Sequence, residues 1–531
     1  MAAWRSISGL GPRCQSLRRR MSKAPPRGSV GQRAIRRTVP LVPTTTIEFD
    51  NTFANELDGL YHAVTGAGFP EPKLVKLNRG LAGELGLSAD DLTRDGAGIF
   101  SANTVPDGAA PLAQVYAGHQ FGGFSPQLGD GRALLLGEVI DRNGERRDLQ
   151  LKGSGPTPFS RGGDGKAALG PVLREYLMGE AMHGLGVPTT RALAAVSTGE
   201  SVYRPEPLPG AVLARVAASH IRVGTFQYFN AHRETKNLRR IADYAIARHY
   251  PEHRDADNPY QALLQSVCDA QAELVASWMQ IGFIHGVMNT DNVTISGETI
   301  DYGPCAFMDV YDPATVFSSI DRNGRYAFGN QPAIMLWNLA RFAEALLPLV
   351  HDDGDTAVTC AEEVLESYQP RYQSAWLAGM RAKLGFTEVA DDDLALAEGW
   401  LSVLEDAKLD FTTAFRTLSA AARGDEAPVM TLAGDAAPMR DWLDKWQARQ
   451  ARQGQPGTAV AAGMDSVNPV YIPRNHKTEE ALAAAAEHGD LGPFDALLDA
   501  VSNPYEARPG LEQFAAPAPE DFGPYVTFCG T

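Results

Sequence analysis

A cluster of polar side chains near the middle of the chain constrains its fold and chemistry more than any other feature. Residues 285–292 read HGVMNTDN and residues 300–303 read IDYG. His285, Asp291, Asn292 and Asp301 are side chains that can bind a metal or accept a proton, and apolar segments typical of strands flank their loop. Mg²⁺ and Mn²⁺ prefer oxygen ligands. Where such an ion also binds phosphate, the protein usually contributes an Asn amide oxygen and an Asp carboxylate. A single Asn or Asp in a loop is most often a turn former, but this cluster favours such a site.

A predicted hairpin lies upstream of this cluster. Residues 116–132 form a Gly-rich loop, and residues 133–140, which read ALLLGEVI, predict a strand. The sequence DRNG at 141–144 is a strong turn signal, and residues 149–152 return as the partner strand. Lys152 is therefore predicted to lie on a strand.

A helix is predicted after a second Gly-rich stretch at 153–165. Pro171 lies near its start, where proline is tolerated, and its pattern ends near 184–186. Glu175 lies on this helix. Short strands at 193–196 and 212–216 and a long amphipathic helix at 258–281 are predicted to follow.

The order of these features is that of a protein kinase. In kinases a strand lysine contacts nucleotide phosphates and is oriented by a helix glutamate, while a loop Asn and the Asp of an Asp-Phe-Gly motif hold metal. Lys152, Glu175, Asn292 and Asp301 follow that order here. The sequence therefore predicts an α+β, protein-kinase-like fold.

One position departs from the kinase pattern. A kinase places its catalytic base five residues before the metal-binding Asn, and that position is Val287, which cannot accept a proton. The carboxylate stands instead beside the metal ligand, at Asp291. This argues against ordinary transfer of the γ-phosphoryl group.

Other nucleotide and hydrolase motifs fail. The Walker pattern around Lys166 has Ser160 in place of its first glycine and Ala167 in place of the Ser or Thr. Gly155 is followed by Pro158 where the dinucleotide fingerprint needs glycine, and no Gly-x-Ser-x-Gly elbow is present.

Arg215 and Arg222 flank residues 219–221, after a predicted strand. Near a phosphate site their guanidinium groups are suited to bidentate neutralisation of phosphate charge.

Four segments are predicted along the chain: a basic leader at 1–46, an N-terminal segment at 47–113, a kinase-like nucleotide-binding core at 114–350 and a helical C-terminal region at 351–531. Residues 53–92 predict short helices and residues 95–111 a connector. A further apolar helix is predicted at 333–350. The C-terminal helices are predicted at 394–404, 411–423, 439–450 and 478–487.

The charge distribution limits the partners. The net charge of −16 argues against a protein whose main surface binds nucleic acid or anionic lipid. No uninterrupted apolar run is long enough to span a membrane. The first 47 residues hold ten Lys or Arg and no acid, which is typical of a transit peptide, or of a bacterial chain read from upstream of a true start at Met21. A soluble protein of the bacterial cytoplasm or the mitochondrion is expected. The five dispersed cysteines indicate neither disulfide framework nor zinc site.

Five motifs resemble those of the selenoprotein O (SelO, YdiU) family of pseudokinases, and the resemblance runs from about residue 48 to the end. They are QLGDGR at 127–132, LKGSGPTPFSRGGDG at 151–165, HGVMNTDN at 285–292, IDYGP at 300–304 and NPVYIPRN at 468–475. The resemblance implies a kinase-like fold that binds ATP in a flipped orientation. It implies transfer of AMP to Ser, Thr or Tyr hydroxyls of proteins, with diphosphate leaving, and for some relatives UMP transfer from UTP with Mn²⁺.

The resemblance also implies roles for individual residues. Asp291 would accept the proton of the target hydroxyl, Glu175 would orient Lys152, and Asn292 and Asp301 would bind Mg²⁺ or Mn²⁺. The nucleotide contacts would come from Gly129, Gly131, Arg132, Lys152, Asp164, Gly165, Arg215, Arg222 and Asp301.

One departure from the family concerns redox control. Family members often pair a C-terminal selenocysteine or cysteine with a cysteine after the Asp-Tyr-Gly motif. Cys529 fits the first partner, but the second position is Phe317, and Cys305 is the nearby thiol. An internal disulfide is therefore in doubt.

Two further functions stay open at the level of sequence. The first is a kinase that uses Asp291 as an alternative base on a protein or small molecule. The second is a non-catalytic scaffold that binds ATP and a partner, although such a scaffold needs neither Asn292 nor Asp301 as a metal ligand.

Overall fold

The computed structural model describes residues 45–434 and 437–528. Residues 1–44 of the predicted leader and Cys529 lie outside that part of the chain. The predicted segment borders at 113 and 350 stay predictions, since residues 45–528 pack as one unit.

An antiparallel sheet occupies the N-terminal half of the described chain. Its strands pair in the order β1-β3-β6-β7-β10-β9-β2, with β8 also paired to β10, while β4–β5 and β11–β12 form two small separate pairs. The strands are β1 (Tyr61–Ala63), β2 (Lys73–Leu77), β3 (Leu112–Gln114), β4 (Gly118–Gln120), β5 (Gly123–Ser125), β6 (Ala133–Ile140), β7 (Arg146–Lys152), β8 (Ala167–Ala168), β9 (Arg191–Tyr203), β10 (Pro207–Ala217), β11 (Phe283–Ile284) and β12 (Ala306–Phe307).

Helices flank this sheet and make up most of the C-terminal half. They are α1 (Thr52–Glu56), α2 (Arg79–Glu84), α3 (Ala89–Phe100), α4 (Leu169–Gly184), α5 (Val223–Ala231), α6 (Thr235–His249), α7 (Pro259–Ile281), α8 (Gln331–Val350), α9 (Gly354–Lys383), α10 (Asp393–Ala407), α11 (Phe411–Ala422), α12 (Ala427–Leu432), α13 (Ala437–Arg452), α14 (Gly457–Asp465), α15 (Asn475–His488), α16 (Gly492–Ser502) and α17 (Glu512–Ala515).

The predicted hairpin that carries Lys152 is confirmed. β6 has the predicted bounds, and in the turn the Asp141 side chain accepts the Asn143 N–H at 2.8 Å while Gly144 adopts a φ of 84°. Such a left-handed turn matches the twist of the two strands. Lys152 ends β7 and lies opposite Leu213 of β10.

The predicted helix that carries Glu175 is also confirmed, as α4. It packs on β9 and β10 with one side and on α15 and α16 with the other. Most of its residues are buried, including Leu173, Tyr176 and Leu177. A helix that is apolar on all sides must be enclosed, and the C-terminal helices enclose this one.

The long helix α7 organises the helical half. Asn258 caps its start, Pro259 occupies its first position, and Gly282 ends it with a φ of 71°. It packs against α8 and α9.

The stretch Phe328–Val350, which contains α8, is apolar and long enough to cross a membrane by length and composition alone, but half of it is buried inside the protein. Its packing on α5, α7 and α9 is that of a core helix.

The structure differs from the predicted elements in several places. The predicted helical stretch 53–92 also contains β1 and β2, which add strands to the two edges of the sheet. The predicted connector 95–111 begins inside α3, where Gly96 allows the Phe100 ring to approach. The Gly-rich loop 116–132 contains the hairpin β4–β5, and β9 and β10 are longer than predicted because they pair with each other along most of their length. Helix α9 runs past Pro370, which lies on its exposed side.

Candidate active site

A single cleft of about 1290 Å³ is lined by the candidate site residues other than His285. His285 is buried away from the cleft, and its Nε2 lies 2.9 Å from the Ile300 carbonyl oxygen. The lining residues come from the Gly-rich loops, β7, α4, β10 and the loop after β11, which are far apart in sequence. They include Gly129, Gly131, Arg132, Lys152, Asp164, Gly165, Glu175, Arg215, Arg222, Asp291, Asn292 and Asp301. The fold therefore brings the predicted set together; the role of each residue stays a prediction.

Lys152 joins the sheet to the helix and to the Asp-Tyr-Gly motif. Its Nζ lies 2.6 Å from Glu175 Oε2 and 2.6 Å from Asp301 Oδ1. The pair with Glu175 is the geometry that the kinase-like order predicts, and the side chains of both residues are mostly buried. A lysine held between two carboxylates has a fixed position at the floor of the cleft.

Asp301 is a carboxylate surrounded by three positively charged side chains of the cleft. Besides Lys152, Arg215 Nη1 donates to its Oδ1 at 2.7 Å and Arg222 Nη1 to its Oδ2 at 2.5 Å. Burial raises the pKa of Asp301, but Lys152, Arg215 and Arg222 outweigh it and hold the pKa well below its ordinary value. Asp301 has a φ of 63°, which turns the chain sharply at the carboxylate.

The two arginines are held by further contacts. Arg215 Nε donates to Gln150 Oε1 at 2.8 Å and its Nη1 to Glu175 Oε1 at 2.9 Å. Arg222 donates to the Asp291 carbonyl at 2.6 Å, and its guanidinium lies 4.8 Å from the Tyr116 ring centre. Arg222 Nε is buried and has no hydrogen-bond partner among the described residues. Both arginines are rigid, desolvated cations of the kind that bind phosphate.

Asp291 is a buried carboxylate with spare hydrogen-bonding capacity. Its Oδ2 accepts from Gln120 Nε2 at 3.2 Å, whereas its Oδ1 has no partner in the described part of the chain. Burial raises its pKa to about 6, against the opposing charge of Arg222. A carboxylate with that pKa is mostly ionised at neutral pH and can still take up a proton, as a general base must.

Asn292 and Asp301 offer oxygen atoms to a divalent cation. Asn292 Nδ2 donates to the Val287 carbonyl at 2.9 Å, which leaves its amide oxygen as the atom of ligand type. Between 45 and 528, apart from 435–436, no group of three or more His, Cys, Asp or Glu is arranged so that it could hold a metal ion. An amide oxygen, the Asp301 carboxylate and the orphan Asp291 oxygen nonetheless form an all-oxygen set, and Mg²⁺ is commonly held by one or two carboxylates together with substrate phosphates. These oxygen atoms are of the type that such an ion binds, while Lys152, Arg215 and Arg222 contact both Asp301 oxygens in this structure.

The Gly-rich loops bring backbone close to the cleft. A side chain at Gly129 would lie 2.3 Å from the Phe159 ring, and one at Gly165 would lie 2.1 Å from the Gly155 carbonyl. Neither position tolerates a side chain. Asp164 faces Arg204 at 2.9 Å and is partly exposed. Arg204 is the main cause of its lowered pKa.

Sequence reasoning missed several residues of the cleft. Asp130, between Gly129 and Gly131, is buried, and its Oδ2 accepts the Gln114 N–H at 3.0 Å. Burial raises the pKa of Asp130 to about 6. Its position inside a recognised motif was a usable signal. Tyr116 and Gln120 belong to the Gly-rich loop but gave no separate signal.

The C-terminal segment also lines the cleft, which no sequence pattern indicated. The Thr527 N–H donates to the Phe317 carbonyl at 2.8 Å, and the Ser319 N–H donates to the Thr527 carbonyl at 2.9 Å. Thr527 Oγ1 donates to the Pro304 carbonyl at 2.8 Å. Backbone pairing thus holds this segment to the chain after the Asp-Tyr-Gly motif, at the position where the resemblance implied a disulfide. Cys305 is a free, buried thiol whose pKa burial raises to about 11.

Comparison with known proteins identifies close relatives. The family model described as "Protein adenylyltransferase SelO" matches residues 43–502. A protein nucleotidyltransferase YdiU of Cereibacter sphaeroides (strain ATCC 17025) is 61% identical over 488 residues, which cover 92% of this chain and 100% of the relative. Proteins of the same name from Rhizobium etli (strain CIAT 652) and Rhizobium meliloti (strain 1021) are 56% and 57% identical, over 92% of this chain and 98% and 100% of the relatives.

Proposed function

The chain belongs to the SelO family of protein adenylyltransferases, and we propose that its cleft transfers AMP from ATP to hydroxyl groups of proteins with Asp291 as the base. The protein is a protein nucleotidyltransferase, with a nucleotide and a protein as its substrates. One observation supports the assignment of roles. The same cleft contains the buried Asp291 carboxylate, one oxygen of which has no hydrogen-bond partner among the described residues, and the three cations that contact Asp301.

In the proposed reaction the target hydroxyl oxygen attacks the α-phosphorus of ATP. The bond between the α-phosphorus and the oxygen bridging to the β-phosphate breaks, diphosphate leaves, and the hydroxyl proton passes to Asp291. Lys152, Arg215 and Arg222 lie in one cluster and would neutralise phosphate charge as it develops. Glu175 holds Lys152 and Arg215 in place.

A divalent cation fits the same site. Asn292 and Asp301 would hold Mg²⁺ or Mn²⁺, and the ion would supply neutralisation of phosphate charge. The Gly-rich loops, with Gly129, Gly131, Arg132, Asp164 and Gly165, would bind the nucleotide through backbone N–H groups and the Arg132 side chain. UTP as a second nucleotide, and the choice among Ser, Thr and Tyr, stay predictions.

The relatives also bear on the remaining expectations. They are bacterial, and they give a mitochondrial location no support. The family names favour neither a kinase nor a non-catalytic scaffold.

Position-specific labelling of ATP tests the proposal. The protein is incubated in parallel with α-³²P-ATP and γ-³²P-ATP, with Mg²⁺ or Mn²⁺ and a cell lysate, and intact mass is recorded. We expect protein label from the α position only, with a mass increase of one AMP. Asp301→Asn should abolish the label, and Asp255→Asn, at an exposed carboxylate outside the cleft, should keep it. Label from the γ position alone would establish a kinase instead.

A further inference from the structure

An aromatic and basic surface beside the cleft is left uncovered, and we propose that it binds the target protein. The surface, here called the hairpin surface, consists of Phe121, Phe124, Arg325 and Trp337. We infer that it takes a segment of the target in which an acidic residue lies next to an apolar one, close to the modified hydroxyl. This inference rests on the proposed function, and it adds the chemistry of the protein substrate.

The β4–β5 hairpin is built directly on the loop that carries Asp291. The His119 N–H donates to Thr290 Oγ1 at 2.7 Å, and the Phe121 N–H donates to Asn289 Oδ1 at 3.0 Å. Gln120, the residue before Phe121, donates to Asp291 itself. The Phe121 side chain lines the cleft together with Asp291. A segment that contacts Phe121 is therefore a short distance from the proposed base.

Phe121 stands in a conformation that phenylalanine disfavours. Phe121 and Gly122 have φ values of 52° and 84° at the tip of the two-residue turn, where Asn and Gly are preferred. A left-handed conformation costs a residue with a side chain about 1 kcal/mol or more. Phe121 is 39% exposed and Phe124 is 44% exposed. Each ring packs on one neighbour, Phe121 on Tyr326 and Phe124 on His119, and the exposed part of each residue is available to a bound segment.

Arg325 supplies an unpaired positive charge beside these rings. Its guanidinium lies 4.7 Å from the Trp337 ring centre, and within the described chain no carboxylate oxygen comes within 4.0 Å of it. Its Nε and Nη2 are shielded from solvent and have no hydrogen-bond partner there. Arg341, whose guanidinium lies 5.2 Å from the Trp337 ring centre, is already paired with Glu344 at 2.7 Å.

The nearby carboxylate of Asp321 does not pair with the Arg325 guanidinium. Asp321 accepts the backbone N–H groups of Arg325 and Tyr326 at 2.9 and 2.7 Å. The rest of the half-buried Arg325 guanidinium remains accessible, and a carboxylate is its strongest hydrogen-bond partner. Arg325 also contacts the Tyr326 ring, 5.7 Å from its centre, but it has no carboxylate partner among the described residues. In a protein with a net charge of −16, such an arginine next to exposed rings fits an acidic and apolar peptide segment.

Peptide binding and labelling together test the inference. Two fluorescein-labelled peptides carry one tyrosine each, flanked by glutamate and leucine in one and by lysine and leucine in the other. Fluorescence anisotropy gives Kd for the full-length protein. We expect the acidic peptide to bind roughly tenfold more tightly, the scale of one charge-assisted contact. Arg325→Gln should remove most of that difference, whereas Arg322→Gln, which removes an exposed arginine three residues away, should preserve it.

Phe121→Asn provides an independent variant, because Asn accepts the left-handed turn while the ring is lost. It should weaken both peptides. Equal binding of the two peptides by the native protein, or equal effects of Arg325→Gln and Arg322→Gln, would overturn the inference. Transfer of label from α-³²P-ATP to the bound acidic peptide is measured separately. A peptide that binds as expected but takes no α label counts against the proposed chemistry and not against the hairpin surface.

Discussion

At the scale of single residues, two carboxylates in one cleft have opposite electrostatic environments. Asp301 lies among Lys152, Arg215 and Arg222, and its pKa is held well below the ordinary value despite burial. Asp291 is buried with one free oxygen, and its pKa is raised to about 6. Pairs of carboxylates whose pKa values are pushed apart commonly divide the tasks of charge placement and proton transfer.

The raised pKa of Asp291 predicts the pH dependence of AMP transfer. Below about pH 6 the carboxylate is protonated and cannot accept a proton, so the rate of transfer should rise with pH through about 6 and then level off. Asp291→Asn should lower the rate roughly 10²- to 10⁴-fold with ATP affinity retained. Initial rates with α-³²P-ATP, together with calorimetric ATP binding, check both. An acid limb that persisted in Asp291→Asn would assign the titration to another group.

At the scale of elements, Arg474 fastens the C-terminal region to the chain after the Asp-Tyr-Gly motif. Its guanidinium is fully buried and bidentate to Asp410, at 2.6 and 2.9 Å, and it donates to Asp309 at 2.7 Å. Asp410 also caps α11 through the Thr413 N–H at 2.8 Å. These contacts give Arg474 of the NPVYIPRN motif a physical role, where sequence reasoning gave only a resemblance.

Arg474→Met should therefore be strongly destabilising. Removing one partner leaves Asp410 buried and unpaired, which costs about 3–5 kcal/mol in the free energy of unfolding. Arg371→Met, which removes the exposed pair with Glu273, should cost less than about 1 kcal/mol. Urea unfolding followed by circular dichroism measures both. Similar losses for the two variants would mean that the buried pair contributes no more than a surface pair.

Local patterns in the sequence were enough to predict the elements that carry the site. The β6–β7 hairpin with Lys152, the helix of Glu175 and the helix at 258–281 follow from turn signals, proline positions and apolar periodicity. The three-residue strand β1 and the hairpin β4–β5 are too short for a period to be read. The segment around Thr527 lines the cleft through pairing with residues some 210 positions earlier, and no local pattern encodes such a contact.

At the scale of the whole molecule, α4 lies between the sheet and the C-terminal helices. At its end, a side chain at Gly184 would lie 2.7 Å from the Val501 carbonyl and 3.0 Å from the Ser502 carbonyl, both backbone atoms at the end of α16. Arg174, also on α4, donates to the Cys305 carbonyl at 2.6 Å and to Glu479 at 3.1 Å. These contacts fix the helix of Glu175 from both sides.

Two alanine substitutions in α4 should have opposite effects. Gly170 has open space around it, so Gly170→Ala should stabilise the protein by about 0.5–1 kcal/mol, as expected for a glycine in a helix. Gly184→Ala must displace the backbone of α16 and should destabilise by about 1–3 kcal/mol. Thermal unfolding of the two variants in parallel measures the difference. A Gly184→Ala protein as stable as Gly170→Ala would show that α16 moves away freely.

The walls of the cleft are drawn from residue 116 to residue 528. During translation, the Gly-rich loops leave the ribosome long before the segment around Thr527 is made. The apolar outer face of α4 packs on α15 and α16, which are also synthesised later. Until these two helices have formed, that face is exposed to solvent and to chaperones. The complete cleft therefore forms only after the segment around Thr527 has been synthesised, long after the loops that begin it.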